Sequence, residues 1–224
     1  MSYYIGLSLF KEAAAAGKKP ASAEAMRILS LLEGRPVKEN DIARTARGRP
    51  FLPGREIDFN ISHSAALTAV SLVRGGNLRA GCDVERIRNR SGAPGIAENF
   101  FSASENHYLF DRGFDEARFY EIWTLKECFL KLRGLSVFDM AAAPSFISGE
   151  GQFAFGAAVS SALYFRLYEL SSGAGERYIL AAAVEGARQP SPEIRWFSQS
   201  TLDCKIIAEI NAAPNPAQTV SPKI

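Results

Sequence analysis

Near the start of the chain Tyr3, Ile5, Leu7 and Leu9 alternate with smaller or polar residues, the period-two pattern of a half-buried strand. Met26, Leu29 and Leu32 then recur at helical spacing behind Ser22, whose hydroxyl can cap the start of a helix. A turn-rich basic stretch follows, RTARGRPFLPGRE, holding Arg44, Arg47, Arg49 and Arg55. FNISHS (59–64) predicts a strand, and AALTAVSLV (65–73) a second element, either another strand or the entry of a short helix. Gly75–Asn77 is a turn into the strand LRAGCDVE. RNRSGAPG, Arg88 to Gly95, is the most loop-like internal segment. Ser102 and Glu105 form a capping box for a helix reaching about Phe110. A longer helix is expected from about Asp115 to Arg133, ending at Gly134. Beyond it the pattern is β: GQFAFGAA (151–158), ALYFRLYEL (162–170), ERYILAAAV (176–184) and EIRWFS (193–198).

Helix followed by strands occurs in both halves, so a two-lobed α+β protein is the economical reading. The division is an N-terminal lobe over residues 1–100, a C-terminal lobe over 101–211 and an extended tail over 212–224. The cleft between such lobes is a place for a ligand.

Composition changes this picture little. With 47% hydrophobic and 22% charged residues among 224, the chain reads as an ordinary globular protein. A net charge of +2 implies no general nucleic-acid or membrane partner, so any anion site must be local. Cys82, Cys128 and Cys204 are scattered, with no CxxC pair, which fits a reducing compartment and argues against a disulfide framework or structural zinc. No basic residue precedes the apolar run Tyr3–Phe10 and no run is long enough to span a membrane, so the expected location is cytoplasmic.

Three elements carry candidate chemistry. On the strand Leu78–Glu85, alternation puts Leu78, Ala80, Cys82 and Val84 on a core face and Arg79, Gly81, Asp83 and Glu85 on the other. Asp83 and Glu85 could share a hard divalent cation, or could simply sit on a solvated face. On the long helix, Phe119, Ile122, Trp123, Phe129 and Leu130 form an apolar stripe with Lys126 at its centre and Glu127 and Lys131 at its edge. Glu127 and Lys131 could be a surface ion pair; an anionic ligand with its metal would account for all three. His63, between Ser62 and Ser64, is either a structural residue or part of a phosphate site, to which Arg44, Arg47 and Arg49 could add charge.

GRP (48–50), FNISHS, GCDVE (81–85) and WTLKECFLK (123–131) occur in this order. They resemble the ordered motifs of the Sfp-type phosphopantetheinyl transferases. The resemblance covers about residues 48 to 134; the N-terminal third matches poorly, and Cys82 and Cys128 stand where the family has an aliphatic residue and Ala or Ser. It implies a pseudo-dimeric 4'-phosphopantetheinyl transferase fold, each lobe a helix packed on antiparallel sheet, with coenzyme A between the lobes and a monomeric chain. It implies Mg²⁺ held by Asp83, Glu85 and Glu127, phosphate charge neutralised by Lys126 and Lys131, and the adenosine end held by Arg49, Ser62 and His63. Lys18 or Lys19 are candidates for further phosphate contacts. Catalysis would fall to Glu127, Lys131 and Lys126, with Glu127 or a water beside it taking the proton of the attacking serine. The partner would be an apo acyl carrier protein or peptidyl carrier domain of fatty-acid, polyketide or peptide synthesis. A non-catalytic carrier-protein or coenzyme-binding relative and another Mg²⁺-dependent enzyme of pyrophosphate chemistry are the alternatives.

Overall fold

The computed structural model describes residues 2–9, 20–155, 162–172, 175–186, 192–198 and 201–212. The strands are β1 (Ser2–Leu9), β2 (Ala43–Arg44), β3 (Pro50–Phe51), β4 (Ile57–Ser64), β5 (Leu67–Arg74), β6 (Arg79–Arg86), β7 (Leu163–Ser171), β8 (Arg177–Glu185), β9 (Glu193–Trp196) and β10 (Asp203–Ala212). The helices are α1 (Pro20–Glu33), α2 (Ala93–Phe100), α3 (Ala103–Phe110) and α4 (Glu116–Arg133). The class is α+β, as expected. One sheet runs β4-β5-β1-β9 and the other β10-β7-β8-β6; β2 and β3 form a small hairpin. Each large sheet takes a strand from the far half of the sequence: β9 pairs parallel to β1, and β6 antiparallel to β8.

The layers follow from strand alternation. Tyr3, Ile5 and Leu7 of β1 meet Ala80, Cys82 and Val84 of β6 and Leu180 and Ala182 of β8 between the two sheets. Ile28, Leu29 and Leu32 of α1 cover the other face of the first sheet, against Phe59, Val70 and Leu72. α4 covers the other face of the second, against Phe165, Ile179 and Ala181. Helices thus flank a double sheet, and α4 crosses β6 so closely that a Cβ on Gly81 would lie 2.8 Å from the carbonyl oxygen of Cys128. Gly81 and the small buried Cys128 set the distance at which α4 lies over Asp83 and Glu85.

The seam between the sheets is closed by side chains. β4 and β6 are both edge strands, and an edge strand leaves alternate N–H groups without ladder partners. The N–H groups of Ala80, Cys82, Val84 and Arg86 donate to Asp58 Oδ2 (2.8 Å), Asn60 Oδ1 (3.4 Å), Ser62 Oγ (3.2 Å) and Ser64 Oγ (3.0 Å). The polar residues alternating along β4 are therefore the missing neighbour strand of β6.

Several local expectations hold and several are corrected. Ser102 accepts from the Glu105 N–H (3.2 Å) and the Glu105 carboxylate accepts from the Ser102 N–H (2.7 Å), completing the box at the start of α3. Asp115 caps α4, and Gly134 ends it in the left-handed region, at φ 66°. Ser22 is not a cap: α1 already begins at Pro20, a residue suited to a first helical turn because it lacks an N–H to satisfy. The loop expected up to Gly95 gives way at Ala93, where α2 starts with a proline in its first turn. The second element after FNISHS is a strand, β5, joined to β4 through Ala65 at φ 48°. GQFAFGAA forms only the isolated bridge Ile147–Phe153, and its residues 156–158 lie outside the described ones. Strand β10 was not expected; its pattern is masked by a register shift between Ile206 and Ala208 that breaks alternation. The proposed tail, from residue 213 on, lies outside the described residues, as do Lys18 and Lys19.

Candidate active site

β4, β6 and α4 bring Asp83, Glu85, Glu127 and Lys131 together with Ser62 and His63 around one cavity of about 280 Å³. Ile61, His63 and Lys131 also wall a second cavity of about 540 Å³, lined further by Arg44, Arg47, Arg49 and Leu135. The acids therefore lie at one end of a cleft and the basic hairpin at the other. The face of β6 bearing Asp83 is not solvated: α4 covers it, and Asp83 is 3% exposed.

Lys131 and Asp83 are paired in the smaller cavity. The Lys131 Nζ donates to Asp83 Oδ1 at 2.6 Å and to Ser62 Oγ at 2.9 Å, and Ser62 donates to the same Asp83 oxygen at 2.8 Å. Burial by itself would lower the ammonium's pKa, but the charge and hydrogen bond of Asp83, with Glu127 beyond, outweigh it and hold Lys131 above the ordinary lysine range. Asp83 Oδ2 is buried without a hydrogen-bond partner. Burial and the neighbouring Asp83 charge push the Glu85 carboxyl up, against the Ser64 hydroxyl and Lys131. Burial, then Asp83, pushes Glu127 up to about 7, with Lys131 opposing and Glu85 adding to the rise.

This last shift has a measurable sign. The folded pKa of about 7 lies above the ordinary 4.5, so between those values the native state binds more protons than the unfolded chain. The carboxyl therefore subtracts stability progressively as pH rises from about 4.5 to about 7, and fully above that. In chelator-treated protein, Glu127→Gln is expected to gain about 1–2 kcal/mol over wild type near pH 8, with solvent screening allowed for. Near pH 4 the gain should vanish. Thermal midpoints at the two pH values measure it, and equal shifts at both would contradict the assignment.

Three expected site residues are placed differently. Lys126 is absent from both cavities. It is 2% exposed, forms a 3.0 Å ion pair with the fully buried Glu105, and donates to the Pro144 carbonyl at 3.3 Å. The centre of the helix stripe thus faces α3, where the capping glutamate awaits a cation. Arg49 borders the larger cavity, but its guanidinium donates to the Lys131 carbonyl, to Asp58 and, at 2.9 Å, to the Ala80 carbonyl. It fastens the basic hairpin to β4, β6 and the end of α4, where a cation also suits the helix dipole. Ser62 is buried and committed to Asp83, Lys131 and Val84. His63 is exposed and lines both cavities, and Arg44 and Arg47 reach the larger one. Ser22 and Met26 of α1, with Glu39 and Leu135, also line that cavity and were not foreseen; Glu39 and Leu135 stand close in sequence to the basic stretch or to α4, and nothing local marks the two α1 residues.

The donor set suits a hard divalent cation: three carboxylates on one cavity, one with a buried oxygen lacking a partner. Among the described residues no group of three or more His, Cys, Asp or Glu side chains is gathered closely enough to encage a metal. That is compatible with Mg²⁺, which keeps several waters and takes one or two carboxylates together with substrate phosphates.

Residues 79–183 match the family model described as the 4'-phosphopantetheinyl transferase superfamily. The curated protein 4'-phosphopantetheinyl transferase AcpT of Salmonella typhimurium is 34% identical over 102 residues, 44% of this chain and 52% of that protein. AcpT of Escherichia coli is 35% identical over 103 residues, covering 44% and 51%. The 4'-phosphopantetheinyl transferase ffp of Bacillus subtilis is 36% identical over 90 residues, covering 39% and 38%. The chain spans about half the length of the first of these relatives. Residues 79–183, which the family model matches, contain Asp83, Glu85, Glu127 and Lys131 but neither His63 nor the basic hairpin.

Proposed function

We propose that this chain, whose residues 79–183 match the 4'-phosphopantetheinyl transferase superfamily, transfers the phosphopantetheine group of coenzyme A to a serine of an apo carrier protein, releasing 3',5'-ADP. The observation that carries the reading is one cleft with three carboxylates at one end, Arg44 and Arg47 at the other, and Lys131 and His63 lining both parts. Its larger part, about 540 Å³, is the size of a small-molecule site.

In this reading His63, Arg44 and Arg47 hold the 3'-phosphate and adenosine, and the pyrophosphate lies toward Lys131. Mg²⁺, held by one or two of Asp83, Glu85 and Glu127, would supply charge neutralisation at the pyrophosphate. The serine oxygen bonds to the phosphorus bearing the pantetheine arm, and the bond from that phosphorus to the 3',5'-ADP oxygen breaks. Lys131, kept protonated by Asp83, meets the negative charge that gathers on the leaving phosphate. Glu127, or a water beside it, would receive the serine proton; burial and Asp83 push its carboxyl up to about 7 while no cation lies on it. No helix among the described residues is long and apolar enough to cross a membrane. The three free cysteines accord with a reducing, cytoplasmic location.

Incubation with coenzyme A, Mg²⁺ and either an apo acyl carrier protein or an apo peptidyl carrier domain, followed by weighing the carrier, tests the reading. A carrier heavier by one phosphopantetheine group is expected; coenzyme binding without any mass gain would make the chain a non-catalytic relative. The 3'-phosphate contact has its own test. With His63 proposed at the 3'-phosphate rather than at the bond being broken, His63→Ala should raise the KM for coenzyme A more than it lowers kcat. Its cost should be non-additive with that of removing the 3'-phosphate, using dephospho-coenzyme A. Additive losses would return His63 to a structural role.

A further inference from the structure

The side chains that close the seam between the sheets are of two chemical kinds. Asp58 and Asn60 use an acceptor oxygen toward the β6 backbone. Ser62 and Ser64 accept in the same way, but a hydroxyl that accepts an N–H still has its own hydrogen to give. Both give it to the carboxylate on the next β6 residue back: Ser62 to Asp83 Oδ1 at 2.8 Å and Ser64 to Glu85 Oε2 at 2.9 Å. Ser62 is also bonded to Lys131, so its effect cannot be separated from the ion pair. Ser64 has the simpler arrangement, with the Arg86 N–H on one side and Glu85 on the other.

We propose that Ser64 is a positioning residue for Glu85: it carries the rigid spacing of the inter-sheet seam onto that candidate ligand of a divalent cation. This rests on the transferase reading only in naming the cation's use. The direction of the hydroxyl hydrogen is dictated, because the backbone N–H can only donate. That bond, with the Trp123 side chain as a second partner of the carboxylate, orders Glu85 in advance, so a cation need not order the side chain when it binds.

The test titrates Mn²⁺ onto the full chain in the presence of coenzyme A, reading free Mn²⁺ by electron paramagnetic resonance. Ser64→Ala is expected to weaken Mn²⁺ binding about tenfold, the size typical of losing a partner behind a metal ligand. Ser64→Thr, which keeps the hydroxyl, should restore most of it. In transfer assays the apparent Mg²⁺ constant of Ser64→Ala should rise by the same factor, while kcat at saturating Mg²⁺ stays near wild type. If the alanine variant does not fold, as judged by circular dichroism, Ser64→Cys carries the test, being similar in size and a poor donor. Mn²⁺ affinity unchanged in the folded variant, or no Mn²⁺ binding by wild type, overturns the proposal. Wild-type Mn²⁺ binding without transfer would instead remove the proposed function and leave the Mn²⁺ comparison to decide the role of Ser64.

Discussion

Asp83→Asn is expected to cut phosphopantetheinyl transfer by at least about a hundredfold, with the fold intact. The substitution keeps an oxygen that can accept from both Lys131 and Ser62, the bonds that Asp83 Oδ1 makes now. It places the amide nitrogen where Oδ2 lies buried without a partner. What it removes is charge. The ammonium of Lys131 loses the anion that holds it above the ordinary lysine range, and a cation at Glu85 and Glu127 loses a ligand. A hundredfold loss corresponds to about 2.7 kcal/mol of transition-state stabilisation. The measurement is kcat/KM for carrier modification, alongside a thermal melt. Wild-type turnover in folded Asp83→Asn would remove Asp83 from the catalytic machinery.

Lys126→Met is expected to act on the other side of α4 and in the opposite sense. It leaves the Glu105 carboxylate, which is fully buried, without its counter-ion, a loss of about 3–5 kcal/mol. The Ser102 and Phe146 N–H groups still donate to Glu105, which places the expected cost toward the lower end. The thermal midpoint should fall by roughly 6–20 °C. Transfer assayed well below that midpoint should remain near wild type, because Lys126 lines neither cavity. An unchanged midpoint with lost transfer would put the ammonium at the substrate, as the family resemblance implies.

These two lysines show where sequence reading reached its limit. Both stand on α4 beside Glu127, and both were expected at the phosphates. Five residues apart, they point about 140° from one another around the helix, so that Lys131 meets β6 and Lys126 meets α3. The apolar stripe correctly marked Lys126 as a cation needing a special partner, and the capping box correctly marked Glu105; nothing local joins the two. Arg49 is a similar case, since GRP announces a basic loop without saying which of its arginines is turned inward.

The sequence by itself determined the elements whose signals are local: β1, β4 and β6 from alternation, α4 from its stripe and caps, α3 from its capping box, and the order of the motifs on them. Those signals depend only on side-chain period and on backbone groups a few residues apart. Tertiary structure alone decided which strands became neighbours, including β6 and β9 crossing between halves, and the unread strand β10. It also decided that the serines of FNISHS turn toward the β6 backbone and its carboxylates while His63, of opposite parity, turns to the cleft. The reason is that an edge strand's free N–H groups and a buried charge must each be satisfied by whatever packing brings near. That choice is made across about 20 residues for β4 and β6 and further for α4, beyond the reach of any local pattern.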